Sequence, residues 1–229
     1  MASLAPASSN VREDKIANAI KSLKTSINVR GMGITRNNVE SVFANTLALH
    51  PEIVYIAKSS YSYSRYTGEV NTLMISYIPN AESVKNTLAA AVRKVNKEVN
   101  IKNMKPAEIV LAYHEYLTST VEYDESGYTA YSTVYGRAHK FDMYGTLVDK
   151  KAVCQGYAET MNYFLRKAGI PCGLATSVYI NHAWNVVRIN GKWYNVDATW
   201  DDPVEDLPGR SMHEYFLIST NTLNRKTIN

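Results

Sequence analysis

One stretch of the sequence contains the three residue types that a thiol acyl-transfer site requires. Cys154 stands at the start of a predicted helix, His182 lies on a predicted strand, and Asp197 lies on the next strand. In such a site the thiol attacks a carbonyl carbon, the imidazole transfers the proton, and the carboxylate fixes the imidazole tautomer and stabilises its cation. The sequence therefore predicts a catalytic triad made of Cys154, His182 and Asp197.

The cysteine is predicted to lie in the first turn of its helix. Apolar side chains recur every three or four residues from Cys154 to Leu165, and Gly169 followed by Pro171 ends the helix. Unpaired backbone N–H groups and the positive end of the helix dipole lie at the start of a helix, where they lower a thiol pKa and can hold an oxyanion. Gly156 is expected to let a substrate backbone approach.

A predicted hairpin brings the histidine and the aspartate together. An Asn-Gly dipeptide at 190–191, between two β-rich runs, predicts a two-residue type I′ turn. Strands that pair outward from this turn place Trp184 opposite Asp197, so that His182 and Asp197 are diagonal neighbours on one face. Their Cβ atoms are then roughly 7 Å apart, within reach of a hydrogen bond. A bulge or a slip of one residue would instead turn Asp197 to the opposite face.

Each of these residues also has an ordinary structural interpretation when it is considered alone. A cysteine on a helix face is usually buried core, a histidine on a strand is usually structural, and an aspartate near a hairpin often caps a turn. Both cysteines are interpreted as free thiols, with Cys172 in the core. Cys154 and Cys172 could instead bind zinc with His182 and Asp197, but the spacing lacks the close ligand pairs of structural zinc sites. No metal and no cofactor is therefore predicted.

Four motifs in this stretch resemble the core of the transglutaminase-like superfamily. They occur in the order of that family, at residues 154–158 (CQGYA), 169–171 (GIP), 182–184 (HAW) and 193–200 (WYNVDATW). The resemblance is strong over residues 142–203 and weaker over residues 106–219. It implies a papain-like fold, in which a helix that carries the nucleophile packs on an antiparallel sheet that supplies the histidine and the aspartate. None of the three reactive positions departs from the family pattern.

The resemblance implies a cysteine-dependent enzyme that transfers the acyl group of protein or peptide amides. Water as the acceptor would make it a protease or a deamidase, and an amine would make it a cross-linking transglutaminase. The alternative is a non-catalytic binding or structural module that keeps the fold. The region before the core resembles, weakly, that of secreted and surface proteins of Gram-positive bacteria. This implies an extracellular or cell-surface location in a bacterium, with protein or peptide substrates there.

Composition and charge argue against several other classes of protein. The chain has 229 residues, of which 45% are hydrophobic and 20% charged, as is typical of a soluble globular protein with a sizeable core. The net charge of +4 is small and the basic residues are scattered, so nucleic-acid binding is not predicted. No apolar run is long enough for a membrane span, and residues 1–10 contain no intact signal peptide. The sequence leaves open the oligomeric state and whether the native chain continues past Asn229.

The fold class predicted for the whole chain is α+β, in three parts. Residues 1–10 are interpreted as a leader or linker, residues 11–104 as an N-terminal extension, and residues 105–229 as the transglutaminase-like core. Hydrophobic periodicity in the extension predicts the order α-α-β-β-α, with Ile27 on the inner face of the first helix. A helix that begins at Pro106 is predicted to open the core.

The segment of residues 122–151 is the least regular part of the predicted core and is rich in tyrosine. Because it leads to Cys154, we expect it to form one wall of the cleft. Tyr144 is predicted to bind substrate there, as a hydrogen-bond donor at the oxyanion. The alternative is that the tyrosines pack this segment on the core.

Three other features receive ordinary structural interpretations. His114 lies beside the apolar face of its helix and is predicted to be a surface or structural residue. The acidic run at residues 201–206 lacks the spacing of a calcium-binding loop and is predicted to be a solvated turn. Residues 214–219 (EYFLIS) are predicted to form a last strand.

Overall fold

The computed structural model describes residues 11–125, 139–202 and 211–227. This part of the chain divides into two compact units, an N-terminal unit of residues 11–87 and a C-terminal unit that contains the other described residues. The predicted leader at residues 1–10 lies outside the described residues, as do residues 126–138 of the tyrosine-rich segment. The predicted boundary between residues 104 and 105 stays a prediction.

The N-terminal unit combines helices with a three-stranded antiparallel sheet, ordered β1-β3-β2. Its elements are α1 (Val11–Lys21), β1 (Ser26–Asn28), α2 (Val39–Leu49), β2 (Ile56–Tyr63), β3 (Val70–Tyr77) and the first part of α3 (Ala81–Glu98). The predicted order missed β1, and the prediction that Ile27 lies on a helix is wrong, because Ile27 pairs with Leu73. Leu23 has a positive φ of 55°, which breaks the helical path before Ile27 is reached.

The C-terminal unit combines helices with a second antiparallel sheet, ordered β6-β7-β8, and a short parallel pair, β4 with β5. After α3 its elements are α4 (Pro106–Thr120), β4 (Glu122–Tyr123), β5 (Lys151–Ala152), α5 (Cys154–Lys167), β6 (Cys172–Ser177), β7 (His182–Ile189), β8 (Lys192–Val196) and α6 (Thr220–Thr227). Helices and antiparallel strands therefore occur together, as the α+β prediction requires. None of the helices described is long and apolar enough to cross a membrane.

Helix α5 contacts α4 on one side and strands β6 and β7 on the other. Its predicted apolar face is confirmed, since Met161 and Leu165 are completely buried. On the side of α4, Tyr113 stacks on Phe164 with ring centroids 4.7 Å apart. Each such large apolar side chain stabilises the fold by about 1.5–3 kcal/mol when it is fully buried. The helix that begins with Cys154 is thus held firmly between two layers.

Residues 139–149, the described part of the tyrosine-rich segment that lies closest to α5, are more regular than predicted. His139–Phe141 forms a 3-10 turn, and Gly145–Asp149 forms a π-helical turn. One carboxylate oxygen of Asp142 accepts the backbone N–H groups of Tyr144 and Gly145, at 2.8 and 3.3 Å, and so satisfies donors at the start of the second turn. Gly145 is required here, because a Cβ at this position would overlap the backbone of the first turn.

The prediction of a last strand at residues 214–219 is wrong. Within this segment, Ile218 alone pairs with the sheet, in an isolated bridge to Asn195. Leu217 has a positive φ of 49°, which no extended strand adopts, and the chain enters α6 at Thr220. The apolar side chains of residues 215–218 are half-buried, although the segment is not a strand of the sheet.

Candidate active site

Cys154 is the first residue of α5, as predicted. Val153 before it is extended, with φ −100° and ψ 176°, so the chain enters the helix abruptly at the cysteine. The cysteine is buried in an apolar cluster with Ala158 and Ala183, and His182 and the backbone N–H groups of Ala183 and Gln155 favour the charged form of its thiol. The nucleophile candidate therefore lies at the N-terminus of a helix and against the start of β7.

The turn and the register of the β7–β8 hairpin are as predicted. Asn190 and Gly191 both have positive φ, at 49° and 81°, which a type I′ turn requires. The strands then pair in the predicted register from the turn outward, as far as Asn185 opposite Val196. The ladder ends there, because Val196 is the last residue of β8.

His182 and Asp197 are in direct contact although Asp197 lies beyond the end of that ladder. His182 Nε2 and Asp197 Oδ2 are 2.6 Å apart, and both side chains are buried. The other carboxylate oxygen, Oδ1, accepts the backbone N–H groups of Thr199 and Trp200, each at 3.1 Å. This local turn takes the place of the predicted strand pair between Trp184 and Asp197, and it still directs the carboxylate to the imidazole.

Asp197 and Cys154 change the protonation of His182, and His182 changes that of Cys154. Burial alone raises the pKa of the Cys154 thiol, but the hydrogen bond and charge of His182, together with the backbone donors, outweigh burial and lower this pKa below its usual value. Burial alone lowers the pKa of His182, but the hydrogen bonds and charges of Asp197 and Cys154 raise it to about 9. The arrangement therefore favours a thiolate paired with an imidazolium.

The two ring nitrogens of His182 serve different partners. Asp197 occupies Nε2, so Nδ1 is the nitrogen that is left to exchange a proton with the sulfur of Cys154. The carboxylate fixes the tautomer that keeps a proton on Nε2. The indole of Trp200 lies on the imidazole, with ring centroids 4.4 Å apart and planes 5° from parallel. Trp200 is the last residue of the motif at 193–200, but neither its type nor its spacing predicts a role for it.

Gly156 approaches other parts of the same chain, in contrast to its predicted role beside a substrate. A Cβ at this position would lie 2.8 Å from the carbonyl oxygen of Lys140, 2.8 Å from Thr146 Oγ1 and 2.9 Å from the Cβ of Ala152. The glycine is therefore needed to pack the first turn of α5 against the segment that precedes it.

Tyr144, the predicted substrate-binding residue, has a packing partner on its own segment. Its ring centroid lies 4.5 Å from that of His139. The packing alternative accounts for this contact, and the role of Tyr144 at an oxyanion stays a prediction.

The two aspartates that follow Trp200 are buried, so the prediction of a solvated turn is wrong at these positions. Asp202 Oδ2 accepts the Tyr157 hydroxyl at 2.5 Å, and Asp201 Oδ2 lies 3.0 Å from His114 Nε2. His114 is fully buried, which agrees with a structural role and excludes a surface one. These partners lie 45 and 87 residues away in sequence, so no local spacing reveals them. The rest of the acidic run, from residue 203, lies outside the described residues.

The zinc alternative finds no support in the structure. Within residues 11–125, 139–202 and 211–227, no group of three or more His, Cys, Asp or Glu side chains could hold a metal ion. The sulfur of Cys172 is contacted by the Asn185 amide at 3.6 Å, and burial raises the pKa of this thiol to about 12. Cys172 is buried, which agrees with its predicted place in the core.

Comparison with known proteins identifies the family of this region. Residues 93–198 match the family model of the transglutaminase-like superfamily. The chain contains a transglutaminase-like domain. With α5 packed on the antiparallel strands β6 and β7, the predicted fold class, α+β with a papain-like transglutaminase core, is confirmed.

Individual proteins resemble parts of this chain. The kyphoscoliosis peptidases of Mus musculus and Homo sapiens are each 32% identical to it over 71 residues, which is 25% of this chain and 11% of the relative. A solved structure of a TGase is 15% identical, with a TM-score of 0.38, and the match covers 63% of this chain and 44% of the TGase chain. A solved structure of a candidate cysteine protease from Cytophaga hutchinsonii is 19% identical, with a TM-score of 0.36, and the match covers 69% of this chain and 70% of the protease chain.

Proposed function

We propose that the protein is a cysteine-dependent acyl-transfer enzyme, which acts on protein or peptide amides through Cys154, His182 and Asp197. The observation that carries the proposal is a buried imidazole, His182, that lies 2.6 Å from the buried carboxylate of Asp197, together with the lowered pKa that His182 gives the Cys154 thiol. The family match supports it, and so do the names of the two relatives, which are peptidases.

Acylation begins when the sulfur of Cys154 attacks the carbonyl carbon of the amide. A carbon–sulfur bond forms and the carbonyl electron pair moves to the oxygen, for which the backbone N–H of Cys154 at the start of α5 is a suitable donor. The proton on His182 Nδ1 then passes to the amide nitrogen as the carbon–nitrogen bond breaks. The amine leaves, and a thioester on Cys154 remains.

The acceptor then determines the product. His182 Nδ1 takes a proton from water or from a second amine as that molecule attacks the thioester carbonyl, and the carbon–sulfur bond breaks to return the thiolate. Water gives hydrolysis, which is protease or deamidase activity, and an amine gives a cross-link. Asp197 stabilises the imidazolium in both halves of the reaction.

The connection between β6 and β7 supports a polypeptide as the substrate. Val178, Tyr179 and Ile180 are 88%, 97% and 45% exposed, within the four residues that precede His182. Large apolar side chains exposed together commonly mark a contact surface. We include these three residues in the proposal as the surface on which the substrate chain lies. Substrates at a bacterial cell surface are part of the proposal too, on the family resemblance alone.

The first test is the rate at which iodoacetamide alkylates Cys154, from about pH 4 to about pH 9, in a Cys172→Ala background. We expect reaction well below the usual thiol pKa of about 8.5, and loss of this reactivity in His182→Ala. If Cys154 reacts slowly at neutral pH and His182→Ala changes nothing, the enzyme proposal fails. A non-catalytic binding or structural module with the same fold then becomes the better proposal.

A second assay separates hydrolysis from cross-linking. The wild type and Cys154→Ala are incubated with an unfolded protein substrate and a fluorescent primary amine. Label on the substrate that depends on Cys154 indicates transglutaminase activity, and new amino termini that depend on Cys154 indicate protease activity. Release of ammonia without either product indicates deamidase activity.

A further inference from the structure

One carboxylate holds both the imidazole of the candidate site and the residue that lies on it. Asp197 binds His182 Nε2 through Oδ2 and the backbone N–H of Trp200 through Oδ1. The indole of Trp200 in turn lies parallel to the imidazole, with centroids 4.4 Å apart. The three residues therefore form a closed ring of contacts.

Tyr215 contacts two members of this ring from the segment between β8 and α6. Its carbonyl oxygen accepts the backbone N–H of Asp197 at 3.1 Å. Its aromatic ring meets the indole of Trp200 edge-on, with centroids 4.9 Å apart and planes at 64°. Tyr215 thus fixes the backbone of Asp197 and the plane of the indole together.

A second buried histidine–aspartate pair fixes Tyr215. Both carboxylate oxygens of Asp201 accept the Tyr215 backbone N–H, at 2.9 and 3.1 Å, and Oδ2 also lies 3.0 Å from His114 Nε2. Neither the His114 nor the Asp201 side chain is exposed. A carboxylate oxygen can only accept a hydrogen bond, so His114 Nε2 is the donor to Asp201. A buried carboxylate needs these donors, and its position is therefore tightly constrained.

We propose that Trp200 is a positioning residue for His182, and that Tyr215, Asp201 and His114 hold Trp200 in place. The inference rests on the proposed function, since His182 needs a fixed orientation only if it exchanges a proton with Cys154. The face of the indole favours the imidazolium through cation–π attraction, and its contact with the imidazole prevents the ring from rotating.

The charges that act on His182 are few. Among the described residues, the titratable groups that influence its ring are Asp197, on the turn after β8, and Cys154, on α5. A substitution of the Trp200 side chain removes neither group. A changed pH dependence in such a variant therefore reports the loss of the stacked ring.

The test measures iodoacetamide alkylation of Cys154 against pH in the full chain, with Cys172→Ala as background. Trp200→Leu removes the aromatic face, whereas Trp200→Phe keeps one. Near about pH 6, where the ion-paired thiolate is the reactive form, we expect Trp200→Leu to lower the rate roughly fivefold and Trp200→Phe to retain most of it. Trp193→Leu is the matched control, because Trp193 is 44% exposed on β8, and it should leave the profile unchanged.

The residues that hold Trp200 in place are tested with paired variants. His114→Leu removes the donor to Asp201, whereas His114→Gln keeps an N–H at a similar reach. We expect His114→Leu to lower the rate near about pH 6 by roughly twofold, in the same direction as Trp200→Leu, and His114→Gln to restore it. Tyr215→Leu carries the test if Trp200→Leu does not fold. Tyr215→Phe, which keeps the ring, is its control.

A folded Trp200→Leu or Tyr215→Leu protein, verified by its thermal transition, that shows the wild-type pH profile overturns the proposal. These residues then have a structural role alone. That result differs from failure of the proposed function, in which the wild type itself shows no alkylation at neutral pH that depends on His182.

Discussion

His182 Nε2 and Asp197 Oδ2 lie 2.6 Å apart at a point where the β7–β8 ladder has already ended. We expect Asp197→Asn to keep a hydrogen-bonding side chain there but to lose the charge that stabilises the imidazolium. Acyl transfer should fall by a factor of about 10² or more, and alkylation of Cys154 near about pH 6 should fall with it. The measurements are kcat/KM with an amide substrate and the alkylation rate.

Asp202→Asn is the matched control for this variant. Asp202 is also a buried carboxylate on the same turn, but it accepts the Tyr157 hydroxyl. Its substitution should lower the free energy of unfolding and leave the pH profile of Cys154 unchanged. Equal losses of activity in both variants would contradict the role assigned to Asp197.

The opposite pKa shifts of Cys154 and His182 predict a bell-shaped pH dependence of acyl transfer. Burial opposes ionisation of Cys154, but His182 and the backbone donors outweigh burial and lower the pKa of the thiol. The acidic limb of the profile therefore lies below the pKa of an ordinary thiol. Burial also opposes the imidazolium, but Asp197 and Cys154 raise the pKa of His182 to about 9, so the rate should fall as the pH rises through about 9.

The measurement is kcat/KM from about pH 5 to about pH 10, and its two limbs belong to the coupled pair. Asp197→Asn should move the alkaline limb to lower pH, because the imidazolium loses its stabilising charge. If the alkaline limb does not move in Asp197→Asn, it does not come from deprotonation of His182.

Gly156→Ala should destabilise the protein although alanine is the better helix former. Helix propensity favours alanine by about 1 kcal/mol. The new Cβ, however, would lie 2.8 Å from the Lys140 carbonyl oxygen and from Thr146 Oγ1, and such overpacking costs about 1–3 kcal/mol. We expect a net loss of about 1 kcal/mol in the free energy of unfolding, measured by urea denaturation.

The control for Gly156→Ala is Arg166→Ala, on an exposed position of the same helix, which should change the free energy of unfolding by less than about 0.5 kcal/mol. A gain of stability in Gly156→Ala would mean that the segment before α5 can move aside without cost.

Simultaneous substitution of Val178, Tyr179 and Ile180 by serine should raise KM for a polypeptide substrate. Alkylation by iodoacetamide should stay unchanged, because a small reagent does not need the surface that these side chains form. Steady-state kinetics with a peptide and the alkylation assay measure the two effects. Met104→Ser, which removes an apolar side chain that is 38% exposed elsewhere in the C-terminal unit, is the control. An unchanged KM would exclude this surface from substrate binding.

The β7–β8 register and the helix start at Cys154 could be predicted because short sequences encode them. An Asn-Gly turn requires two positive φ angles and aligns the strands, and the apolar period that ends at Gly169 defines α5. The contact of His182 with Asp197 followed from this register, although a local turn and not a strand pair delivers the carboxylate.

Features that depend on distant parts of the chain could not be predicted in this way. Asp201 is paired with a histidine 87 residues away, so its acidic neighbours in sequence suggested a solvated turn. The need for glycine at position 156 comes from the carbonyl of Lys140, which no local pattern places nearby. The left-handed backbone at Leu217 interrupts a run whose composition is typical of a strand.

The backbone N–H of Asp197 donates a hydrogen bond to the Tyr215 carbonyl oxygen, so the proton of this amide reports on the turn that carries the carboxylate. Exchange of that proton with solvent deuterium requires this bond to open. Its protection factor therefore measures how often the segment around Tyr215 detaches from the turn that carries the carboxylate. The exchange lifetime of the Asp197 amide can be measured in wild-type protein without substrate or label. It reports the fraction of time for which this bond is closed.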